Sequence, residues 1–235
     1  MNRFISVVFL FTILAFASCT NNNTAKSKEI NAGAVYFDYK VWGNEESGEV
    51  TVKLQYRLSG ADGVAVLPEY PGNAEFDGEV LKAESTRMNG FYYEARLPLE
   101  KFIGTHSIVF TDLNNKQYKE EFAFPIFSLK AEVTPVINRK ELVFELAGLD
   151  SGEIVRVLFT DTSFYSRGID KTDTIRNGKI TITQSDLENL KNGPVYMEIY
   201  KEEERRLKQT SKAGGRLSLS YGLKRVFELK DAPIP

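Results

Sequence analysis

The chain has few of the residues on which several kinds of protein chemistry depend. Its 235 residues include one cysteine, one histidine and one tryptophan. A single cysteine excludes an internal disulfide and any metal site built from several thiolates. A single histidine excludes zinc sites that need two or more imidazoles. The sequence also lacks a glycine-rich phosphate loop, a Gly-x-Ser-x-Gly turn and a His-Glu-x-x-His pair. We therefore expect no metal, no cofactor and no enzymatic activity.

An excess of charge of one sign is also missing. Thirty Lys and Arg residues stand against 32 Asp and Glu residues, which gives a net charge of −2. That balance argues against nucleic acid as a partner. The hydrophobic fraction of 42% is sufficient for a packed core. The length is compatible with one large domain or with two of about 100 residues each.

The longest apolar run lies at the N-terminus. Arg3 precedes the apolar residues 4–16, and small residues follow at Ala17 and Ser18. This order is typical of a secretory signal peptide, and the run is too short to span a bilayer comfortably. Residues 16–19, Phe-Ala-Ser-Cys, resemble the lipobox of bacterial lipoproteins, although Phe16 stands where that motif usually has an aliphatic residue.

The lipobox resemblance implies a signal peptide over residues 1–18 and an acylated Cys19 that holds the mature protein on a lipid bilayer. The alternative is a secreted protein with an incidental cysteine. Residues 19–32 are polar and show no apolar periodicity, which predicts a flexible tether. The tether has no acid before Glu29, whereas surface lipoproteins of Bacteroidota typically carry acids directly after the cysteine. We therefore favour the periplasmic face of the outer membrane over the cell surface.

Beyond the tether, apolar and polar residues alternate with a period of two. The alternation is visible in residues 50–58, 91–97, 142–146 and 180–183. Strands with one apolar face are typical of antiparallel sheets with one solvated face. Because no stretch carries a sustained helical period, the pattern predicts an all-β protein.

Turn signals divide these strands into two similar groups. Asn-Gly pairs at 89–90 and 177–178 predict hairpins, and Asn114-Asn115 and the charged run 202–206 are expected to be further hairpin tips. After each Asn-Gly pair come a strand, a short Leu-containing connection, a glycine (Gly104 or Gly193) and another strand. We infer two modules of one architecture. The alternative is that stereotyped turn chemistry makes two unrelated β meanders look alike.

The boundary between the modules is predicted at Pro125, which cannot donate to a strand ladder. The predicted modules cover residues 33–126 and 127–230, followed by a tail over 231–235. Their size and strand spacing suit immunoglobulin-like sandwiches. Residues 89–112 resemble the immunoglobulin-like and fibronectin type III-like modules of Bacteroidota surface proteins. The resemblance implies two tandem antiparallel immunoglobulin-like β-sandwiches.

Aromatic residues on the polar side of the strands are the candidate binding residues. Tyr36 and Trp42 alternate with core positions in residues 35–42, and Tyr92, Tyr196 and Tyr200 have the same parity in their own strands. Exposed Trp and Tyr side chains supply much of the energy of binding surfaces, and flat rings also stack on sugars. The alternative is that a bulge turns Trp42 inward or that the rings cover strand edges.

Two further sets of residues are expected to be structural. His106 has the apolar parity of its strand, and no nucleophile or orienting partner accompanies it in a known motif. Asp161, Asp170 and Asp173 surround a polar loop without the fixed spacing of a calcium loop. The sequence therefore predicts a non-enzymatic lipoprotein of the cell envelope that acts as a protein-interaction or scaffold module. The alternative is a glycan-binding lipoprotein that uses the out-facing aromatic residues of module 1.

Overall fold

The computed structural model describes residues 24–26, 31–68, 71–163 and 165–231. The predicted signal peptide and Cys19 lie outside the described residues. The described chain contains one four-residue α-helix, α1, at Gln184–Leu187 and two short 3₁₀ turns at Ala32–Ala34 and Leu99–Lys101. Among the described residues, no helix has the length and apolarity needed to cross a membrane.

The rest of the regular structure consists of β-strands, which confirms the predicted all-β class. The strands in chain order are β1 Thr24–Lys26, β2 Val35–Asn44, β3 Glu49–Leu58, β4 Ala65–Leu67, β5 Asn73–Phe76, β6 Glu79–Val80, β7 Ala83–Thr86, β8 Gly90–Pro98, β9 Thr105–Thr111, β10 Gln117–Ala123, β11 Ser128–Leu129, β12 Val136–Asn138, β13 Leu142–Ala147, β14 Ile154–Asp161, β15 Ile169–Thr174, β16 Lys179–Ile182, β17 Gly193–Arg206 and β18 Gly215–Lys230.

The strands form two immunoglobulin-like sandwiches. In the first, the sheet β7-β8-β3-β2 faces the sheet β6-β5-β9-β10. In the second, the sheet β11-β13-β16 faces the sheet β15-β14-β17-β18, and β12 runs parallel to the end of β18. Edge-to-face ring pairs cross both interiors, Phe37 with Phe110 at 5.0 Å in the first and Phe144 with Phe159 at 6.2 Å in the second.

Local turn chemistry explains the hairpins that the sequence predicts. Asn115 has positive φ in the turn of the β9–β10 hairpin. Asn177 and Gly178 also have positive φ and form the predicted tight turn, but the pairing across it is limited to one bridge, Arg176 with Lys179, because β15 and β16 belong to different sheets. In both sandwiches, a short helical turn and a glycine with positive φ carry the chain from one sheet to the other. Those glycines are Gly104 and Gly193, with φ of 103° and 121°.

The two sandwiches share one continuous sheet, because the hairpin of β17 and β18 is unusually long. Its strands contain 14 and 16 residues and stay paired from Gly193 with Leu229 to Arg206 with Arg216. Residues 215–222 of β18 then pair in parallel with residues 37–44 of β2. We call residues 201–222 of this hairpin the arm, because they reach past the second sandwich and complete a sheet of the first.

The prediction that residues 202–206 form a hairpin tip is wrong. These residues lie inside β17, and the turn comes later, at residues 207–214. The charged run remains in a strand here with partners on the first sandwich for Arg205 and within the long hairpin for Glu203 and Glu204. Arg205 Nη1 donates to Glu120 Oε1 at 2.6 Å, and the Glu120 side chain is buried.

Three arginine–carboxylate pairs hold the long hairpin against the first sandwich. Arg205 pairs with Glu120, Arg216 with Asp38 at 2.8 Å, and Arg225 with Glu45 at 2.6 Å. In each pair the acid belongs to the first sandwich and the arginine to β17 or β18. Asp38 and Glu120 are each only 2% exposed, so their pairing with arginine offsets the cost of burying a carboxylate.

The N-terminal segment also contacts the first sandwich. Within the stretch predicted to be a tether, Thr24–Lys26 pairs in parallel with β4. This contact adds a short strand at the edge of the continuous sheet.

Candidate binding face

All five aromatic residues singled out in the sequence lie on one face of the continuous sheet. Tyr36 and Trp42 belong to β2, Tyr92 to β8, and Tyr196 and Tyr200 to β17. Strand alternation places them there because the residues between them, such as Phe37, Val41, Val195 and Met197, are buried in the two cores. We call this solvent side of the sheet the outer face. Tyr196 thus points away from the core, as its strand parity predicted.

Trp42 lies at the centre of the outer face and is 41% exposed. Its neighbours across the strands are Thr51 on β3 and Ser220 on β18. No bulge turns the indole inward. The small neighbours leave one side of the ring accessible, which is the arrangement that a stacking ligand needs.

Tyr200 lies on the other side of β18 from Trp42. Its ring covers Gly222, where an added Cβ would come within 2.5 Å of the ring carbons. The hydroxyl of Tyr200 donates to Glu198, and burial together with that carboxylate raises the pKa of Tyr200 to about 12. The Tyr200 ring therefore packs over Gly222, and the small side chain of Ser220 lies beside Trp42.

Tyr36 lies near the end of the arm, with its ring 3.7 Å from the position of a Cβ on Gly214. Burial raises the pKa of Tyr36, and the neighbouring Arg216 opposes that shift. Asp38 beside it is bound by Arg216 at 2.8 Å and lies 3.5 Å from Arg57. This part of the outer face combines a network of paired charges with a depression of about 540 Å³ that Tyr36, Arg206 and Arg216 line.

Tyr92 is only 9% exposed, although it lies on the outer face. The Lys53 Nζ atom lies 4.0 Å above its ring, and the Tyr92 hydroxyl donates to Glu84 at 3.1 Å. Burial raises the pKa of Tyr92 most, and the hydrogen bond to Glu84 raises it further. The ring is thus engaged within the first sandwich. Because Tyr92 is buried, Tyr36, Trp42 and Tyr92 do not form an exposed platform together.

Tyr196 is 49% exposed and lies beside Val226, which is 58% exposed, on the neighbouring strand. The pair borders a depression of about 530 Å³ between the two sandwiches. Charged side chains surround the depression, and they include the pairs Glu198–Lys224 at 3.0 Å and Glu45–Arg225 at 2.6 Å. An apolar centre with a rim of paired charges is the usual anatomy of a protein interface.

Residues that could support catalysis are scattered. The Nδ1 atom of His106 lies 2.7 Å from Asp77 Oδ2, and its ring stacks on Phe102 at 3.9 Å inside the first sandwich. The histidine is 5% exposed and points away from the outer face. Among the residues that the structure describes, no three His, Cys, Asp or Glu side chains are grouped as metal ligands would be.

The aspartates around the polar loop have separate structural roles. Asp161 accepts backbone hydrogen bonds from Ser163 and Lys191, and these bonds lower its pKa against the opposing effect of burial. Asp170 forms a two-point pair with Arg156, and Asp173 accepts from the backbone of Thr174. The three carboxylates therefore do not converge on one cation.

No protein-family model and no curated protein sequence matches the chain. Solved structures match in fold only. One is a tetra-tandem repeat in the extending region of a large adhesion protein, with 14% identity over 81% of this chain and 49% of that chain and a TM-score of 0.24. The chain thus spans about half the length of that structure.

Two further structures illustrate the range of these matches. Murine CEACAM1b has 12% identity over 84% of this chain and 100% of that chain, with a TM-score of 0.23. SGBP-B of the Bacteroides ovatus mixed-linkage glucan utilization locus, in complex with a heptasaccharide, has 11% identity over 78% of this chain and 53% of that chain, with a TM-score of 0.19. At these TM-scores the similarities carry no argument about function.

Proposed function

We propose that the protein is a lipid-anchored, non-enzymatic binding or scaffold module of the bacterial cell envelope, held on the periplasmic face of the outer membrane. The observation that carries the proposal is the exposure of Trp42, Tyr196 and Val226 on one face of a sheet that crosses both sandwiches. A partner bound to this face would contact side chains of both sandwiches, and the shared sheet holds those side chains at fixed distances from each other. Preorganisation of that kind lowers the entropy cost of association.

A protein partner suits this face better than other ligands. The exposed apolar side chains are few, and charges of both signs lie between them in pairs such as Glu198–Lys224. Aromatic anchors within a polar rim are the usual energetic centres of protein interfaces. The depression beside Tyr196, at the junction of the sandwiches, could receive an aromatic side chain of the partner.

A photo-crosslinking residue at position 196 tests the protein-partner proposal in living cells. We expect a crosslink to one envelope protein from position 196 and from position 42. A matched probe at Val143, which is 50% exposed on the opposite sheet of the second sandwich, should give none. Equal crosslinking from positions 196 and 143 would contradict a binding role for the outer face.

A glycan is the second candidate ligand, and the exposure of Trp42 beside Ser220 and across from Tyr200 favours it. A sugar ring could stack on the indole while the serine hydroxyl bonds to it. Glycan-array binding by the full mature chain should then be lost in Trp42→Ala and largely kept in Trp42→Phe. A Val143→Ala variant should bind as the wild type does. Binding that survives Trp42→Ala would rule out this site.

The lipid anchor has its own test. Cys19→Ser should move the protein from the membrane fraction to the soluble fraction, and the wild-type protein should carry label from a radioactive fatty acid. Continued membrane retention of the Cys19→Ser protein would refute the anchor. Protease treatment of intact cells then separates a periplasmic location, where the protein is protected, from a surface location.

A further inference from the structure

The turn of the arm lies at the end of the first sandwich where the described chain enters it. Ser211 Oγ donates to Val35 O at 2.5 Å, and the amide of Ala213 donates to Gly33 O at 3.1 Å. The loop of residues 59–63 reaches the same end, since the amide of Ser59 donates to Ala34 O. The turn of residues 112–116 also ends here, where Leu113 and Ala32 line one small cavity. We call this end of the first sandwich the entry pole. It consists of residues 31–35, 59–63, 112–116 and 205–216.

The entry pole is basic, although the whole chain has a net charge of −2. Residues 205–216 contain five Lys or Arg residues and no acid. Arg205 and Arg216 pair with carboxylates of the first sandwich. The side chains of Arg206, Lys208 and Lys212 are exposed and form no ion pair with any described residue.

One more cation and two acids complete the charge of the entry pole. Lys116 is exposed, with its ammonium 4.5 Å from the centre of the Tyr118 ring. Asp62 is exposed in the loop of residues 59–63, whereas Asp112 is buried and accepts the amides of Asn114 and Lys116. Four exposed cations therefore face solvent here beside one exposed acid of the entry pole, and two exposed acids border it, Glu204 at 3.5 Å from Arg216 and Glu121 within the electrostatic range of Lys208.

The strand ladder also places two arginines of the entry pole side by side. Arg206 lies directly opposite Arg216 in the ladder of β17 and β18. Like charges in directly opposed positions destabilise a strand pair. Arg216 is compensated by Asp38 and Glu204, so Arg206 is the cation of this pair that remains available to an anion outside the protein.

We propose that the entry pole is a contact surface for the headgroups of an anionic phospholipid bilayer. The inference rests on the lipid anchor proposed above, because Cys19 lies 12 residues before Asn31, at the start of the entry pole. Because Thr24 pairs with Ala65, two residues after the loop of residues 59–63, only the five residues from Cys19 to Thr24 separate the anchor from this end of the sandwich, and they span at most about 18 Å. A lipid chain combined with a basic patch gives stable membrane attachment where a single weak signal does not.

The proposal fixes how the molecule stands on the membrane. The 14 residues of β17 run from the second sandwich to the entry pole, a distance of about 45 Å at the usual rise of a strand. With the entry pole on the bilayer, the second sandwich is the part farthest from the membrane. The outer face then stands upright, so a partner can reach Trp42 and Tyr196 from the side.

A fluorophore at position 212 tests the contact. The lipidated mature chain carries Lys212→Cys or, as the matched control, Lys191→Cys, an exposed residue beside the other end of β17. Energy transfer to a headgroup acceptor is measured on vesicles of phosphatidylcholine alone and on vesicles that also contain phosphatidylglycerol. We expect strong transfer from position 212 only on the mixed vesicles, with loss at high salt, and weak transfer from position 191 on both.

Charge reversal then identifies the residues that act. Each basic residue near an anionic surface changes the binding equilibrium about fivefold, so Lys208→Glu with Lys212→Glu should lower the membrane-contacting population at least about 25-fold. In this variant the probe is attached at Lys116→Cys. Arg167→Glu with Lys191→Glu makes the same charge change at the far end and should have no effect.

The outcomes separate the contact from the anchor. If the wild-type chain stays on both kinds of vesicle but transfer from position 212 equals that from position 191, the anchor stands and the proposed contact is refuted. If the chain does not associate with phosphatidylcholine vesicles, the anchor fails, and the contact that rests on it fails too. Equal transfer from position 212 on both kinds of vesicle would overturn the preference for anionic lipid.

Discussion

The two sandwiches differ most in one pair of equivalent hairpins. In the first, the hairpin that follows Gly104 has strands of seven and seven residues. In the second, the hairpin that follows Gly193 has strands of 14 and 16 residues. The extra length becomes the arm, which pairs with β2 of the first sandwich. Extension of one hairpin is thus enough to join two modules into one sheet without any additional element.

The interiors of the two sandwiches differ as well. The first is rich in aromatic residues, and the hydroxyls of Tyr39 and Tyr56 lie 3.5 Å apart in its centre. Burial raises the pKa of both tyrosines and raises the pKa of Tyr93 to about 12. The second is mainly aliphatic, with buried residues such as Val157, Ile180 and Ile199. Equivalent topology therefore tolerates two different kinds of core packing.

Removal of the arm should have the largest effect on this comparison. We would replace residues 202–220 with an Asn-Gly turn, which gives the long hairpin nearly the length of its counterpart. The change removes the buried side chains Leu207, Leu217 and Leu219 and exposes the edge of β2. Loss of one buried leucine costs about 2–5 kcal/mol, so three exceed or approach the whole stability of a small domain.

Calorimetry is the measurement for the shortened chain. We expect the first sandwich to unfold tens of degrees below the second, or not to fold at all, whereas the second keeps its own transition. A single cooperative transition at the wild-type temperature would show that the arm does not stabilise the first sandwich.

The ion pairs of the arm provide the next test. Arg205→Ala leaves the buried Glu120 without its guanidinium partner, although the amide of Lys208 still donates to it at 2.8 Å. We expect a loss of about 3 kcal/mol in the free energy of unfolding, measured with urea. Arg156→Ala is the control, because Arg156 and Asp170 form an exposed pair within the second sandwich. A similar loss in both variants would mean that the junction pair has no special role.

The third and smallest effect is expected at extremes of pH, where acid should destabilise the second sandwich first and alkali should destabilise the first sandwich first. Hydrogen bonds or ion pairs lower the pKa of seven acids in the second half of the chain and of one, Glu121, in the first. The seven are Glu145, Glu153, Asp161, Asp170, Asp186, Glu198 and Asp231. A lowered pKa adds stability that is present above the ordinary value near 4 and is lost as the pH falls through the folded-state pKa.

The buried tyrosines give the first sandwich the opposite dependence. A raised pKa adds stability that is present below the ordinary value of about 10 and is lost as the pH rises above it. Tyr39, Tyr56 and Tyr93 lie in the first sandwich, against Tyr200 in the second and Tyr221 in the arm, so the larger number of raised pKa values belongs to the first. Urea titrations at several pH values test this assignment. The fluorescence of Trp42 reports on the first sandwich, and amide NMR signals of β14 report on the second. We expect acid to destabilise the second sandwich first and alkali to destabilise the first sandwich first. The reverse order would contradict this assignment.

Sequence patterns were reliable where a feature depends on neighbouring residues. Alternation identified the strands and the face of each side chain, so Trp42 and Tyr196 were placed correctly on the solvent side. Asn177 and Gly178 predicted a turn because few other residues accept positive φ. The same reasoning failed at residues 202–206, since the charge of Arg205 is satisfied by Glu120, 85 residues away.

The sequence also could not predict how exposed each candidate side chain is. Tyr92 has the parity of a solvent-facing residue, yet Lys53 and Glu84 cover its ring. Gly222 gave no signal in the sequence, although its lack of a side chain is what allows the Tyr200 ring to lie over β18. The run of five basic residues without an acid at 205–216 was a readable signal for the entry pole. Only the fold shows that this basic run lies where the described chain enters the first sandwich.

The balance of charge and the lone cysteine and histidine already limited the chemistry of this protein. Alternation predicted its all-β class, and the repeated turn signals with Pro125 predicted its two modules. Those features are local, because side-chain parity and turn chemistry act over a few residues. Only the tertiary structure decided that the two modules share a sheet, through contacts such as Arg216 with Asp38, 178 residues apart. The physical reason is that strands pair through backbone groups that all residues but proline possess, so parity identifies the buried face of a strand but not the strand that lies beside it.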